Sequence, residues 1–156
     1  MGYTNSFKKA PILDKEKFKI LSEELNTASG FIVGEHSSAN DGDEMVTLCD
    51  GVGEGSPIFN EKVICFNGDA SKGHDHETFV IDRESKDEDI RNNGFVSEFC
   101  KTNRKPYDIM VQISMLRLKH HFPETNIFSD GGSEDWKNGR KLYKKIFGTA
   151  APRMNR

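Results

Sequence analysis

The chain reads as one α+β domain over residues 1–150, a mixed β-sheet with about three helices, followed by a flexible tail over 151–156. Three observations carry this reading. A length of 156 residues suits a single hydrophobic core. Short apolar runs are bounded by clusters of Gly, Asn and Asp, as brief strands and turns are. Three longer stretches repeat apolar residues every three or four positions, and the last two alternate with strands to give a closing β-α-β-α unit.

Asp14 is placed to cap the first helix, Leu13 and Phe18 occupy the two positions of a hydrophobic staple, and Phe18, Leu21 and Leu25 share a face. The pattern predicts an end near Asn26, then a short strand at Phe31-Ile32-Val33 and a polar surface loop over 35–44. Further strands are predicted over 45–49, over 58–66 with a break at Asn60-Glu61, over 78–82 and over 95–100. Residues 51–55 spell GxGxG, but a dinucleotide-binding loop must open a helix, and Ser56-Pro57-Ile58 opens an extended run instead. That segment is therefore a turn between strands. The acidic stretch 83–93 reads as a mobile loop.

Pro106 suits the first turn of a second helix. Ile109, Ile113 and Leu116 mark one of its faces and Val111, Met115, Leu118 and Phe122 another, which buries it against more than one layer. Pro123 ends it, and His120-His121 complement its carboxyl-end dipole. Ile127-Phe128 forms a strand, and Ser133 caps a third helix whose Trp136, Tyr143 and Phe147 align as core. Gly139 on that face implies a close backbone approach, and Gly148 supplies the stop.

Composition excludes several classes. Lys plus Arg is 22 and Asp plus Glu is 25, a net charge of −3, so duplex nucleic acid is an unlikely partner and a single strand has the net charge against it. Mean hydropathy is −0.67, and no apolar run approaches the roughly 20 residues of a membrane span. The first residues, MGYTNSFKK, lack a secretory apolar stretch, which leads us to expect a cytoplasmic protein with no membrane partner. Met1-Gly2 fits a myristoylation start only loosely. Cys49, Cys65 and Cys100 are odd in number and unpaired in spacing, so reduced, packed thiols are expected. Cys100 alone precedes a basic run that would lower a thiol pKa and so is the candidate reactive cysteine.

Connectivity brings polar loops to one sheet edge. If the strand at 78–82 runs antiparallel to that at 95–100, then loops 67–77, 101–105 and 129–132 converge, and the amino termini of the second and third helices point there too. Lys101, Arg104 and Lys105 supply cations for an anion, with Asn67, Thr102, Asp108, Ser129 and Asp130 as the remaining ligand-binding candidates. His76, Glu77 and Asp130 are the candidate proton-transfer residues. His74 and His76 form a His-x-His pair that a divalent metal could use, with Asp69, Glu77 or Asp130 as third ligand. That third ligand is unassigned, so metal is not the favoured cofactor.

The phrases MGYT, FNG followed by HETF, FCKTxxKPYD, and SDG followed by DWxxxRxLYxxxFG form a set. As a set they resemble a family of small bacterial and phage proteins opening with MGYTHYW-like or MGYTHYF-like sequences. The resemblance covers 2–148 and implies that Asn67, Gly68, His76, Glu77, Lys101, Thr102, Lys105, Tyr107, Asp108, Ser129, Asp130 and Gly131 carry the family pattern. It implies no activity. Asn5 stands where the family has His, and His74 lies outside the shared phrase, which leaves His76 as the stronger single candidate.

Two functions are expected from these readings. One is binding of a small anionic, phosphate-bearing ligand such as a nucleotide at the polar edge, with catalysis by His76 or Glu77 left open. The other is a non-catalytic phage-type inhibitor that binds a host protein, acting in the bacterial or infected-cell cytosol.

Overall fold

The computed structural model describes residues 3–32, 36–37, 44–88 and 94–155. Three helices and antiparallel sheets make an α+β fold. The first strand, β1 (Thr4–Lys9), lies between β8 (Val96–Lys101) and β9 (Asn126–Ser129), and both pairings are antiparallel. The expected mixed sheet is therefore antiparallel in every described pairing. β8 and β9 still run in the same direction, as a β-α-β crossover demands, but β1 separates them and supplies the ladder. The signal for this was weak, because the inward-facing Asn5 and Lys9 are polar and MGYTNSFKK shows no alternation of polar and apolar residues.

Alternation along β1 sends Asn5, Phe7 and Lys9 inward and leaves Lys8 exposed. Lys9 is buried to 1% exposure, its Nζ donates to the Ala10 carbonyl, and burial pushes its pKa down despite nearby Asp82 and Glu98. On the opposite face Ser6 pairs with both Phe99 and Phe128, so two exposed phenyl groups flank a serine across the sheet.

A second sheet joins β4 (Leu48–Cys49), β5 (Ile58–Phe59), β6 (Val63–Gly68) and β7 (Phe79–Asp82), all antiparallel, while β2 (His36–Ser37) pairs only with β3 (Glu44–Met45). Gly51–Gly55 is the expected turn between strands. It folds around the Asp50 carboxylate, which accepts the backbone N–H groups of Val52, Glu54 and Gly55. Those amide donors are already used, which removes them from any phosphate.

Helix α1 (Lys15–Ile32) is capped by Asp14, whose carboxylate accepts the Lys17 N–H, with Leu13 and Phe18 both buried beside it. The helix does not stop near Asn26, and Phe31-Ile32 is its last turn rather than a strand. Ala28 and Ile32 extend the buried row begun by Phe18, Leu21 and Leu25, and that packing outweighs the roughly 1 kcal/mol that Gly30 costs inside a helix. Val33 and most of the expected loop 35–44 lie outside the described residues. So do residues 89–93 of the stretch read as mobile. Its beginning is fastened: Leu13 N–H donates to the Arg83 carbonyl, Ser85 N–H to that of Pro11, and Ile12 bridges Glu84.

Helix α2 (Asp108–His121) is buried on every side from Asp108 to Leu118, as two apolar faces require. Its first turn begins two residues after Pro106. Helix α3 (Ser133–Phe147) packs on it, and Gly139 is the point of closest approach, since a Cβ there would lie 2.1 Å from Gln112 Oε1. Gly132, not Ser133, is the capping residue of α3, and its N–H is held by the Asp135 carboxylate. Gly148 ends α3 in the left-handed conformation at φ 73°.

The tail does not hang free. Asn155 N–H donates to the Ile127 carbonyl, Ile127 N–H to Asn155 Oδ1, and Arg140 Nη1 to the Pro152 carbonyl. Residues 151–155 thus lie along the outer edge of β9, satisfying groups that an edge strand leaves unpaired. Polarity of the sequence alone suggested flexibility, whereas Ala151 and Met154 pack on the core.

One ion cluster joins all three helices. Glu24 of α1 accepts from Arg117 and His121 of α2, and Arg117 also donates to the Tyr143 hydroxyl and lies 4.1 Å from the Phe147 ring centre on α3. Burial pushes the Glu24 carboxyl up, but the bonds from Arg117 and His121 outweigh it and hold the pKa below the ordinary range. The stability this contributes is present above the unfolded carboxyl value and is lost as pH falls through the lower folded value. Glu24→Gln should cost about 1.5–3 kcal/mol near neutrality, and the gap from the parent should close below about pH 4, measured by urea unfolding across pH.

Candidate functional site

Three polar loops do meet at one end of the first sheet. Lys101 closes β8 and pairs with Thr4, and Thr4 N–H donates to Asp130 Oδ2 beyond β9. On the other flank, His76 Nδ1 lies 2.6 Å from the Lys101 carbonyl, and Glu77 both donates its N–H to that carbonyl and accepts the Lys101 N–H on Oε1. The expected pairing of β7 with β8 does not occur. The loop 67–77 reaches the edge through these bonds around Lys101 instead.

A carboxylate organises the interior of this end. Asp108, 1% exposed at the start of α2, accepts from Asn5 Nδ2, Thr102 Oγ1 and Gln112 Nε2 at 2.6–2.8 Å. Gln112 also donates to the Asp135 carbonyl, and Ser129 Oγ donates to Asn5 Oδ1, so β1, β9, α2 and α3 share one network. Burial pushes the Asp108 carboxyl up, against the pull of its three donors. Tyr3 packs beside it, its hydroxyl pushed up to about 12 by burial and by the Asp108 charge.

The turn before α2 is strained. Asn103 and Arg104 both adopt left-handed backbone, φ 51° and 53°, which ordinary residues occupy at a cost of about 1–2 kcal/mol each. Arg104 is held over the Tyr3 ring at 4.3 Å and donates Nε to Asp135 at the start of α3. Lys101 is exposed and Lys105 half-buried, and neither lies within ion-pair distance of a carboxylate among the described residues.

These positions sort the expected site residues. Asn67 and Thr102 are buried and spent on structure: the Asn67 amide bonds both the N–H and the carbonyl of His76, and Thr102 serves Asp108. Asp108 is likewise interior, its carboxylate committed to three internal donors. Asp130 and Glu77 carry backbone bonds that fix the loops. His76 is exposed, with Nδ1 engaged by a carbonyl, so in its neutral form the proton sits on Nδ1 and Nε2 is left as the acceptor. Among the described residues its ring bonds no other side chain.

The metal and thiol candidates do not hold. Among the described residues no three His, Cys, Asp or Glu side chains could hold one metal ion, so His74 and His76 gain no third ligand from Asp69, Glu77 or Asp130. Cys100 is buried, donates toward the Glu77 carbonyl, and has its pKa pushed up to about 12 by burial. Buried against Tyr107 and the Glu77 carbonyl, the thiol is screened from the basic run that follows it, as the packed-thiol reading expects.

Beside the edge lies a cleft of about 770 Å³ between the start of α3 and the docked tail. Ser129, Gly131, Gly132 and Ser133 form one wall, and Arg140, Arg153 and Asn155 form the other. Trp136 lies at its base, and its buried Nε1–H has no acceptor among the described residues. Gly131 is required here, since a Cβ would meet the Tyr3 hydroxyl at 2.5 Å. Of the residues expected to bind ligand, Ser129 alone lines this cleft. Arg140 and Arg153 were missed, although the basic closing helix and tail carried a signal for them.

Asp108→Ala would leave three buried donors unpaired and should cost about 3 kcal/mol or more, whereas Asp108→Asn should cost less because Gln112 can turn its Oε1 toward the new amide. A raised folded pKa gives stability that is full below the unfolded value and lost as pH rises through the folded one. Denaturant unfolding should therefore show the parent losing ground to Asp108→Asn as pH rises from about 4. No family model, no curated protein and no solved structure matches the chain.

Proposed function

We propose that the protein binds a small phosphate-bearing anion at this polar edge, with the cleft at the start of α3 as its seat. The single observation that carries the reading is that Arg140 and Arg153 line one wall of the cleft whose other wall is the amino terminus of a helix of 15 residues. The helix dipole favours an anion at that end, and a guanidinium can grip a phosphate through two parallel bonds, while the Gly131 and Gly132 N–H groups are already held by Ser129 and Asp135. The cleft volume is on the scale of nucleotide-sized pockets, roughly 300–1,000 Å³. Lys101 and Lys105 add positive potential along the same end of the sheet.

A second reading, an interaction protein that docks on a host component, draws support from the open face where Phe99 and Phe128, 65% and 37% exposed, flank Ser6. Aromatic residues of this kind favour protein contacts.

Thermal unfolding separates the two. Inorganic phosphate or a nucleotide at about 100 times its Kd should stabilise the protein by about 2.7 kcal/mol, and Arg153→Gln should remove most of that gain while leaving the unliganded Tm unchanged. No shift with any phosphate compound would eliminate the anion reading. Loss of partner capture with Phe99→Ser, in that case, would support the second.

A further inference from the structure

Resting on the anion reading of the cleft, we propose that the group bound there is the terminal phosphate of a single-stranded nucleic acid, and that α3 carries the backbone that follows. The cleft is the starting point of a cationic track. Arg140 belongs to both: Lys137 precedes it by three residues, and Lys141, Lys144 and Lys145 follow it toward the carboxyl end of α3. Helical periodicity sets Arg140 and Lys144, and Lys137 and Lys141, one turn apart on neighbouring rows.

The four lysines are exposed, and none lies within ion-pair distance of a carboxylate among the described residues. A charge run that merely solvates a helix is commonly interleaved with acids at three or four residues, as alternating pairs stabilise it. Here both acids of α3, Glu134 and Asp135, sit in its first turn, and Asp135 is engaged by Gly132 and Arg104. Lys141, Lys144 and Lys145 have no acid of α3 within four residues to offset their repulsion.

The shape of the track selects the occupant. Its step is one helical turn, about 5.4 Å along the axis, the scale of one nucleotide in an extended strand. A mononucleotide filling the cleft would leave the lysines beyond it without a partner. An anionic membrane surface would call for exposed apolar residues among the cations, whereas Leu142, Ile146 and Phe147 face the core side and are only partly exposed. One stripe on a single helix matches one row of phosphates. The net charge of −3 does not oppose this, because electrostatic attraction at about a Debye length is governed by the local stripe.

Fluorescence anisotropy with a labelled 12-nucleotide oligothymidylate tests this on the full chain. Versions carrying a 5′-phosphate, a 3′-phosphate or only hydroxyl ends should differ, with one phosphorylated end binding at least tenfold tighter than the hydroxyl form. Arg140→Gln with Arg153→Gln should erase that difference. Lys137→Gln, Lys141→Gln and Lys144→Gln together should leave the end preference intact and flatten the salt dependence of log K by about 2, at about 0.7 per phosphate contact. Equal binding of all three oligonucleotides, or equal competition by polyglutamate, would overturn the proposal. Stabilisation by inorganic phosphate without oligonucleotide binding would overturn it and leave the small-anion reading standing, whereas failure of both would remove that reading as well.

Discussion

The carboxylate of Asp108 is removed from water at the one place where four elements must be held together. Ionised, it is tolerable there only while Asn5, Thr102 and Gln112 keep their donors on it, and each of those belongs to a different piece of the fold or leads on to one. Asn5 fixes β1 and, through Ser129, the end of β9. Thr102 fixes the strained turn, and Gln112 reaches the start of α3. The polar edge exists because this network is satisfied from within. Its cost is that the residues forming it cannot also contact a ligand.

That division explains what could be read from the chain and what could not. Helix α2 was legible because its apolar residues occupy two faces, and α3 because Trp136, Gly139, Tyr143 and Gly148 each sit at a diagnostic spacing. The last turn of α1 was not, since Phe31-Ile32 after Gly30 fits either a strand or a helix until Ala28 and Ile32 are seen on the same buried row. β1 was invisible for a related reason: its inward residues, Asn5 and Lys9 among them, are polar, so alternation of hydrophobicity fails. Convergence of the loops was readable from connectivity. Burial was not, and burial is what separates Asn67, Thr102 and Asp108 from Lys101 and His76.

The same distinction governs Cys100 and the cleft. A local run of cations predicts a lowered thiol pKa only where thiol and cation share solvent, and Cys100 instead lies against Tyr107 and the Glu77 carbonyl. Arg140 and Arg153 form a site only because the tail turns back to β9. A sequence window around either arginine shows an ordinary basic surface. The wall they make depends on Asn155 exchanging bonds with Ile127, a contact between residues 28 apart.

The docked tail also sets the two ends of the described chain side by side. Tyr3 packs against Gly131 and Asn155 against Ile127, so the separation is about four strand residues, on the order of 13 Å. A linker of a few residues would span it. A circularly permuted chain opened at the 51–55 turn would keep the Asp108 network and the Lys101 contacts while tethering the tail to β1 covalently, at the risk of the bonds that Gly51 and Gly53 make to Asn67, Thr78 and Ala70.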